Sequence, residues 1–91
     1  MKIFIGNLGN QITTDDLFLL FSDFGSVMAA NVPKDLAGNS RGFGYVMMVS
    51  EYEANNAIET LNKKSFMGQF ISVSEAIHSD RFNHKVTMPV I

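Results

Sequence analysis

The chain opens on an alternating run. In Lys2-Ile3-Phe4-Ile5-Gly6-Asn7-Leu8, Ile3 and Ile5 fall on one face and Lys2 and Phe4 on the other, which predicts a short strand closed by a Gly6-Asn7 turn. The period then becomes helical. Leu17, Leu20, Phe21 and Phe24 follow i, i+3, i+4, i+7 spacing, and Thr13-Thr14-Asp15-Asp16 ahead of them has the form of a capping box, with two acids where a helix N-terminus favours them. Gly25 ends this helix. Phe18 and Leu19 fall outside its apolar stripe; at about 100° per residue, Leu19 points nearly away from Leu17, Leu20 and Phe21. Scattered surface apolar residues are ordinary, but a surface for a protein partner at Phe18 and Leu19 is the alternative reading.

Val27 to Val32 predicts a second strand with Val27, Ala30 and Val32 toward the core. The odd spacing from Val27 to Ala30 requires a bulge near Met28-Ala29. Pro33 ends the strand, and the polar Lys34 to Ser40 leads into the next one as a longish antiparallel hairpin loop. Ser50-Glu51-Tyr52-Glu53 is a second capping-box sequence, opening a helix from Glu51 to about Asn62. Ala54, Ala57, Ile58 and Leu61 form its buried face, and Lys63-Lys64 lie at its C-terminal end. Gly68 turns the chain into a last strand, Gln69 to Glu75, with Ile71 and Val73 inward and Ser72 and Ser74 outward.

Arg41-Gly42-Phe43-Gly44-Tyr45-Val46-Met47-Met48 organises the rest. As a strand it puts Arg41, Phe43, Tyr45 and Met47 on one face, opposite Gly42, Gly44, Val46 and Met48. Taken alone, the stretch fits either a strand buried on both faces or a platform of rings open to a ligand. The order strand, helix, strand, strand, helix, strand bears on that choice. It predicts an α+β, ferredoxin-like βαββαβ sandwich: a four-stranded antiparallel sheet with right-handed crossovers that put both helices on one face. The strands of Phe4 and of Phe43 and Tyr45 become the central neighbours, and their rings converge on the face without helices. Rings so placed suit the stacking of nucleic-acid bases.

The formal net charge is −2, where a basic stripe is the usual footprint of a nucleic-acid binder. Residues 1–76 hold five basic and eight acidic residues, a net charge of −3. Net charge governs solubility and steering and does not veto a local site, though it lowers the expected affinity. Ninety-one residues suffice for one two-layer core. With no cysteine, the chain has no disulfide or thiolate metal site and fits a reducing compartment such as the cytoplasm. Nothing in it reads as a membrane span or a secretion signal.

Arg41 to Met48 resembles the octamer of the RNA recognition motif family: lysine or arginine, glycine, aromatic, glycine or alanine, aromatic, aliphatic, any, aromatic. Ile3 to Leu8 resembles that family's hexamer, and Asp16-Leu17, Phe21, Phe24-Gly25, Ala54, Ala57-Ile58, Leu61, Gly68 and Val73 fall at its spacing. The resemblance covers residues 2–76 and is similar to the small single-domain versions found in bacteria. It implies an RNA recognition motif domain over 1–76, a C-terminal tail over 77–91, and a monomer that binds single-stranded RNA without a cofactor. By the same resemblance, Phe4 and Tyr45 each stack a base, Phe43 lies against the sugars, and Arg41 meets a phosphate. Lys2, Asn31, Met47, Ser72 and Ser74 supply the remaining contacts. Three positions depart from the family pattern. Met48 stands where the octamer ends on an aromatic, Asn31 stands at an often basic position, and no cation lies between Lys34 and Arg41. The last two weaken the electrostatic part of binding and leave the stacking part intact.

Other functions fit less well. Acylphosphatase-like enzymes share the expected fold, but that chemistry wants an arginine in the loop after the first strand, and Gly6-Asn7-Leu8-Gly9-Asn10 has no cation. Both histidines, His78 and His84, fall in the tail, and with Asp80 their spacing matches no common metal site. No catalysis and no metal are therefore expected. In the tail, Phe82, Arg81 and Lys85 favour added RNA contact, whereas the apolar Val86 to Ile91 end favours docking on protein. A loosely held tail that modestly strengthens RNA binding is expected; a tail that covers the sheet is the alternative.

Overall fold

The computed structural model describes residues 1–76, so the expectations for Phe82, the histidines and the rest of 77–91 lie outside the described residues. The elements run β1 (Lys2–Gly6), α1 (Thr14–Ser22), β2 (Val27–Asn31), β3 (Phe43–Met48), α2 (Glu51–Leu61), β4 (Ser65–Phe66), β5 (Gln69–Phe70) and β6 (Ser72–Glu75). Four strands form one antiparallel sheet in the order β2-β3-β1-β6. This is the expected ferredoxin-like arrangement, with β1 and β3 as the central pair.

The alternation along each strand sets the layers. Ile3 and Ile5 of β1, Val46 and Met48 of β3 and Val73 of β6 are buried together with Leu17 and Phe21 of α1 and Ala54 and Ala57 of α2. Both helices thus cover one sheet face, and their apolar stripes drive the packing; a fully buried side chain of this size contributes about 1.5–3 kcal/mol. Gly44 belongs to this inner layer. A Cβ there would lie 2.8 Å from Leu17 Cδ2 and 2.9 Å from the Asn31 carbonyl oxygen, so the close approach that a strand glycine signals is made by α1 and β2 on the core side.

Local chemistry fixes the element ends. The Thr13 hydroxyl accepts from the Asp16 amide at 3.1 Å while the Asp16 carboxylate accepts from the Thr13 amide at 2.9 Å, completing the reciprocal cap of α1. At α2 the Ser50 hydroxyl accepts from the Glu53 amide at 3.2 Å, but the Glu53 side chain lies against Gly25, so Ser50 and Glu53 do not repeat the full box. The register of β2 on β3 shifts between Val27 and Ala29, the expected bulge. Met28 is squeezed out and is 64% exposed. Ala30 thereby faces the core, while Ala29 and Asn31 pair with Met47 and Tyr45 on the open side.

Two expectations are corrected. The third strand begins at Phe43, because Gly42 turns with φ +84° and its amide donates to the Ser40 hydroxyl at 3.1 Å. The last strand is not continuous from Gln69 to Glu75. Gln69–Phe70 pairs with Ser65–Phe66 as a separate hairpin, and only Ser72–Glu75 joins the main sheet. The turn residues Met67 and Gly68 have φ +50° and +92°, the positive-φ pair of a type I′ two-residue hairpin loop. Asn62, just past α2, accepts from the Val73 amide at 2.9 Å through its side chain, occupying a donor on the outer edge of β6.

Candidate nucleic-acid interface

The face opposite the helices is built by the outward halves of the same alternation. Phe4 of β1 stands directly across from Tyr45 of β3, and Gly6 across from Phe43. The three rings form one cluster. Phe4 and Phe43 are stacked at 5.9 Å between centroids, and Tyr45 meets Phe4 at 5.6 Å and Phe43 at 5.9 Å edge-on. All three are half-buried, so they hold one another in place while keeping ring surface toward solvent. Gly6 makes room for this. A Cβ there would lie 2.8 Å from the Ser72 hydroxyl and 3.1 Å from the Phe4 ring. Its role on the open face was not visible in the sequence, where Gly6 reads only as a turn residue.

The predicted cations flank the rings. Lys2 Nζ lies 4.6 Å from the centre of the Tyr45 ring, and the Arg41 guanidinium 5.5 Å from that of Phe43. Arg41 reaches this position from the loop, not from a strand register. The cluster therefore has a positive group at each end and apolar ring faces between them, an arrangement that suits phosphates outside and bases inside. Met47 pairs with Lys2, Asn31 with Tyr45, Ser74 with Phe4 and Ser72 with Gly6, which sets all four beside the rings on the open face. Tyr45 also separates two shallow hollows. One of about 240 Å³ is lined by Phe4, Ser74, Glu75 and Ala76 with Tyr45. The other, of about 260 Å³, includes Lys2, Ala29, Asn31, Tyr45 and Met47.

Five of the eight acidic residues of 1–76, Asp15, Asp16, Glu51, Glu53 and Glu59, lie in the two helices, on the layer away from the rings. Much of the negative charge thus lies on the helix side, while the ring face carries Lys2 and Arg41, with Glu75 at the hollow beside Tyr45. Phe18 and Leu19 are 40% and 65% exposed on α1, in the helix layer. Among the described residues no group of three His, Cys, Asp or Glu could hold a metal ion, and no helix is long and apolar enough to cross a membrane.

Comparison with known proteins gives a consistent result. The family model described as RNA recognition motif matches residues 3–72. The Nostoc sp. protein RbpE, named as a candidate RNA-binding protein, is 40% identical over 77 residues, which are 84% of this chain and 78% of RbpE. The crystal structure of RNA Binding Protein PG1 superposes with a TM-score of 0.83 at 40% identity, covering 86% of this chain and 95% of that one. A Sxl-lethal protein/RNA complex superposes with a TM-score of 0.81 at 26% identity, covering 85% of this chain and 47% of that one.

Proposed function

The chain belongs to the RNA recognition motif family, and from that premise we propose that it binds single-stranded RNA across the open face of the β2-β3-β1-β6 sheet. The observation that carries this reading is the three-ring cluster on a face that neither helix covers, with centroids 5.6–5.9 Å apart. Phe4 and Tyr45 each stack one base, Phe43 packs against the intervening sugars, and Arg41 and Lys2 meet phosphates. Asn31 and Met47 on one side of Tyr45, and Ser72 and Ser74 beside β1, contact base edges. One chain carries every residue of this platform, which supports a monomer as the binding unit. Binding, without chemical conversion of the RNA, is its function, and the reducing cytoplasm is its setting.

Stacking requires splayed bases, which a duplex does not offer. A labelled single-stranded oligonucleotide short enough to cover only the rings is therefore expected to bind more tightly than a duplex of the same sequence. Only Lys2 and Arg41, with Lys34 a third at most, are placed to neutralise its phosphates. Counterion release of about 0.7 per contact gives a log–log salt slope of about −1.4 to −2.1. Anisotropy titrations over a salt series read both quantities. Preference for the duplex, or a slope steeper than about −4, contradicts a stacking site with few phosphate contacts.

A further inference from the structure

We propose that the RNA-binding surface continues past the three rings onto the β4–β5 hairpin, where Phe70 stacks a further base and Lys63 and Lys64 meet the adjoining phosphates. This deepens the proposed function and rests on it. A lone exposed aromatic is ordinary, and several observations set Phe70 apart.

The first is its alignment. Burial alternates without a break from Phe70 to Ser74: Ile71 and Val73 are buried, and Phe70, Ser72 and Ser74 are exposed. Phe70 thus shares the exposed parity of Ser72 and Ser74 across the strand break at Ile71 and, two residues from Ser72, lies at most roughly 7 Å along the chain from it. Ser72 in turn pairs with Gly6, which pairs with Phe43. The row leads from the Phe43 end of the platform to Phe70.

The second is anchoring. The Asn7 side-chain amide donates to the Phe70 carbonyl at 2.8 Å, Gln69 Nε2 approaches the Asn7 carbonyl at 3.4 Å, and Gln11 Nε2 donates to the Met67 carbonyl at 3.1 Å. These bonds tie the hairpin to the loop after β1. Phe66 packs on the core from the same hairpin, and its opposite face carries Ser65 and Phe70, which are direct partners. Phe70 is 71% exposed on a backbone held in place. A ring so presented loses little freedom when a base stacks on it.

The third is charge. Lys64 adjoins Ser65, the residue across from Phe70, Lys63 precedes it, and both are exposed. They are two of the five basic residues in 1–76. Leu19 and Tyr52, also large and exposed, lie in the helices, on the layer away from the rings.

The test compares a short single-stranded RNA of about three nucleotides, enough for the rings, with one of about eight that can run on to the hairpin. Phe70→Ala should leave affinity for the short RNA unchanged and weaken the long one about five-fold or more. Lys63→Ala with Lys64→Ala should flatten the salt slope of the long RNA alone. The chain has no tryptophan, so Phe70→Trp supplies a single indole whose fluorescence is quenched by the long RNA and not by the short one. Phe70→Ala matching wild type on both RNAs, with the Phe70→Trp indole silent, overturns the extension while leaving the sheet site standing. Failure of the wild-type chain to bind either RNA overturns the sheet reading itself.

Discussion

Phe43→Ala combined with Tyr45→Ala should weaken RNA binding at least about five-fold. The base stacked on Tyr45 is worth about 1–3 kcal/mol by alanine substitution, and the Phe43 sugar contact adds to it, so the pair sets an expected loss of at least about 1 kcal/mol, roughly five-fold in affinity. The two losses are not expected to add simply, because the rings touch. Phe43 and Tyr45 are 5.9 Å apart edge-on, and each packs on Phe4, so removing one loosens the other. The fold should survive. Both side chains lie on the open face, whereas Val46 and Met48 of the same strand carry its core contacts. Titration of the single and double variants against one short RNA, with circular dichroism as a fold control, checks the expectation. Wild-type affinity in a folded double variant means that the bases do not stack on these rings.

Gly44→Ala should destabilise the protein by about 1–3 kcal/mol, the usual cost of forcing an extra methyl into a packed core. The sign is informative. In an uncrowded strand, replacing glycine by alanine stabilises by roughly 0.5–1 kcal/mol, because glycine loses more freedom on folding. At Gly44 the added carbon would meet Leu17 Cδ2, which can swing away, and the Asn31 carbonyl oxygen at 2.9 Å, which belongs to the paired backbone of β2 and cannot move alone. Urea unfolding gives the answer as a lowered midpoint at unchanged slope. A raised midpoint would show that α1 and β2 leave room there and that packing does not require this glycine.

Much of the fold was legible because its causes are periodic or local. The apolar stripe of Leu17, Leu20, Phe21 and Phe24, the Thr13 cap and the even spacing of Ile3 and Ile5 all act over a few residues. Even the bulge in β2 followed from one odd spacing, since a strand cannot turn both Val27 and Ala30 inward otherwise. The β4–β5 hairpin was hidden for the opposite reason. Its turn puts Met67 at φ +50°, a conformation that unbranched non-glycine residues adopt seldom, so only Gly68 signalled it. The bonds that seat the hairpin join Asn7 to Phe70 and Gln11 to Met67. Such side-chain bonds between distant segments leave no periodic trace.

The ring face shows the same division. Alternation brought Phe4, Phe43 and Tyr45 together on paper, because β1 and β3 are neighbours and all three rings share a parity. Arg41 reached the Phe43 ring by a route that alternation did not describe: Gly42 breaks the strand, and the long side chain spans the gap. Gly6 was missed as a member of the face because its contribution is the absence of a side chain beside Phe4 and Ser72. Which residues stand next to each other followed from pattern; where a side chain had to be missing followed only from coordinates.

Chemical-shift mapping distinguishes RNA lying on the ring face from RNA lying on the helices. Addition of a short single-stranded RNA to the labelled protein should shift the backbone amides of Phe4, Phe43 and Tyr45, with those of Lys2 and Asn31, and move the ring protons of all three aromatics. The amides of Phe18, Leu19 and Tyr52 on the helix layer should stay where they are. Shifts centred on Phe18 and Leu19, with the three rings unmoved at saturating RNA, would contradict the account.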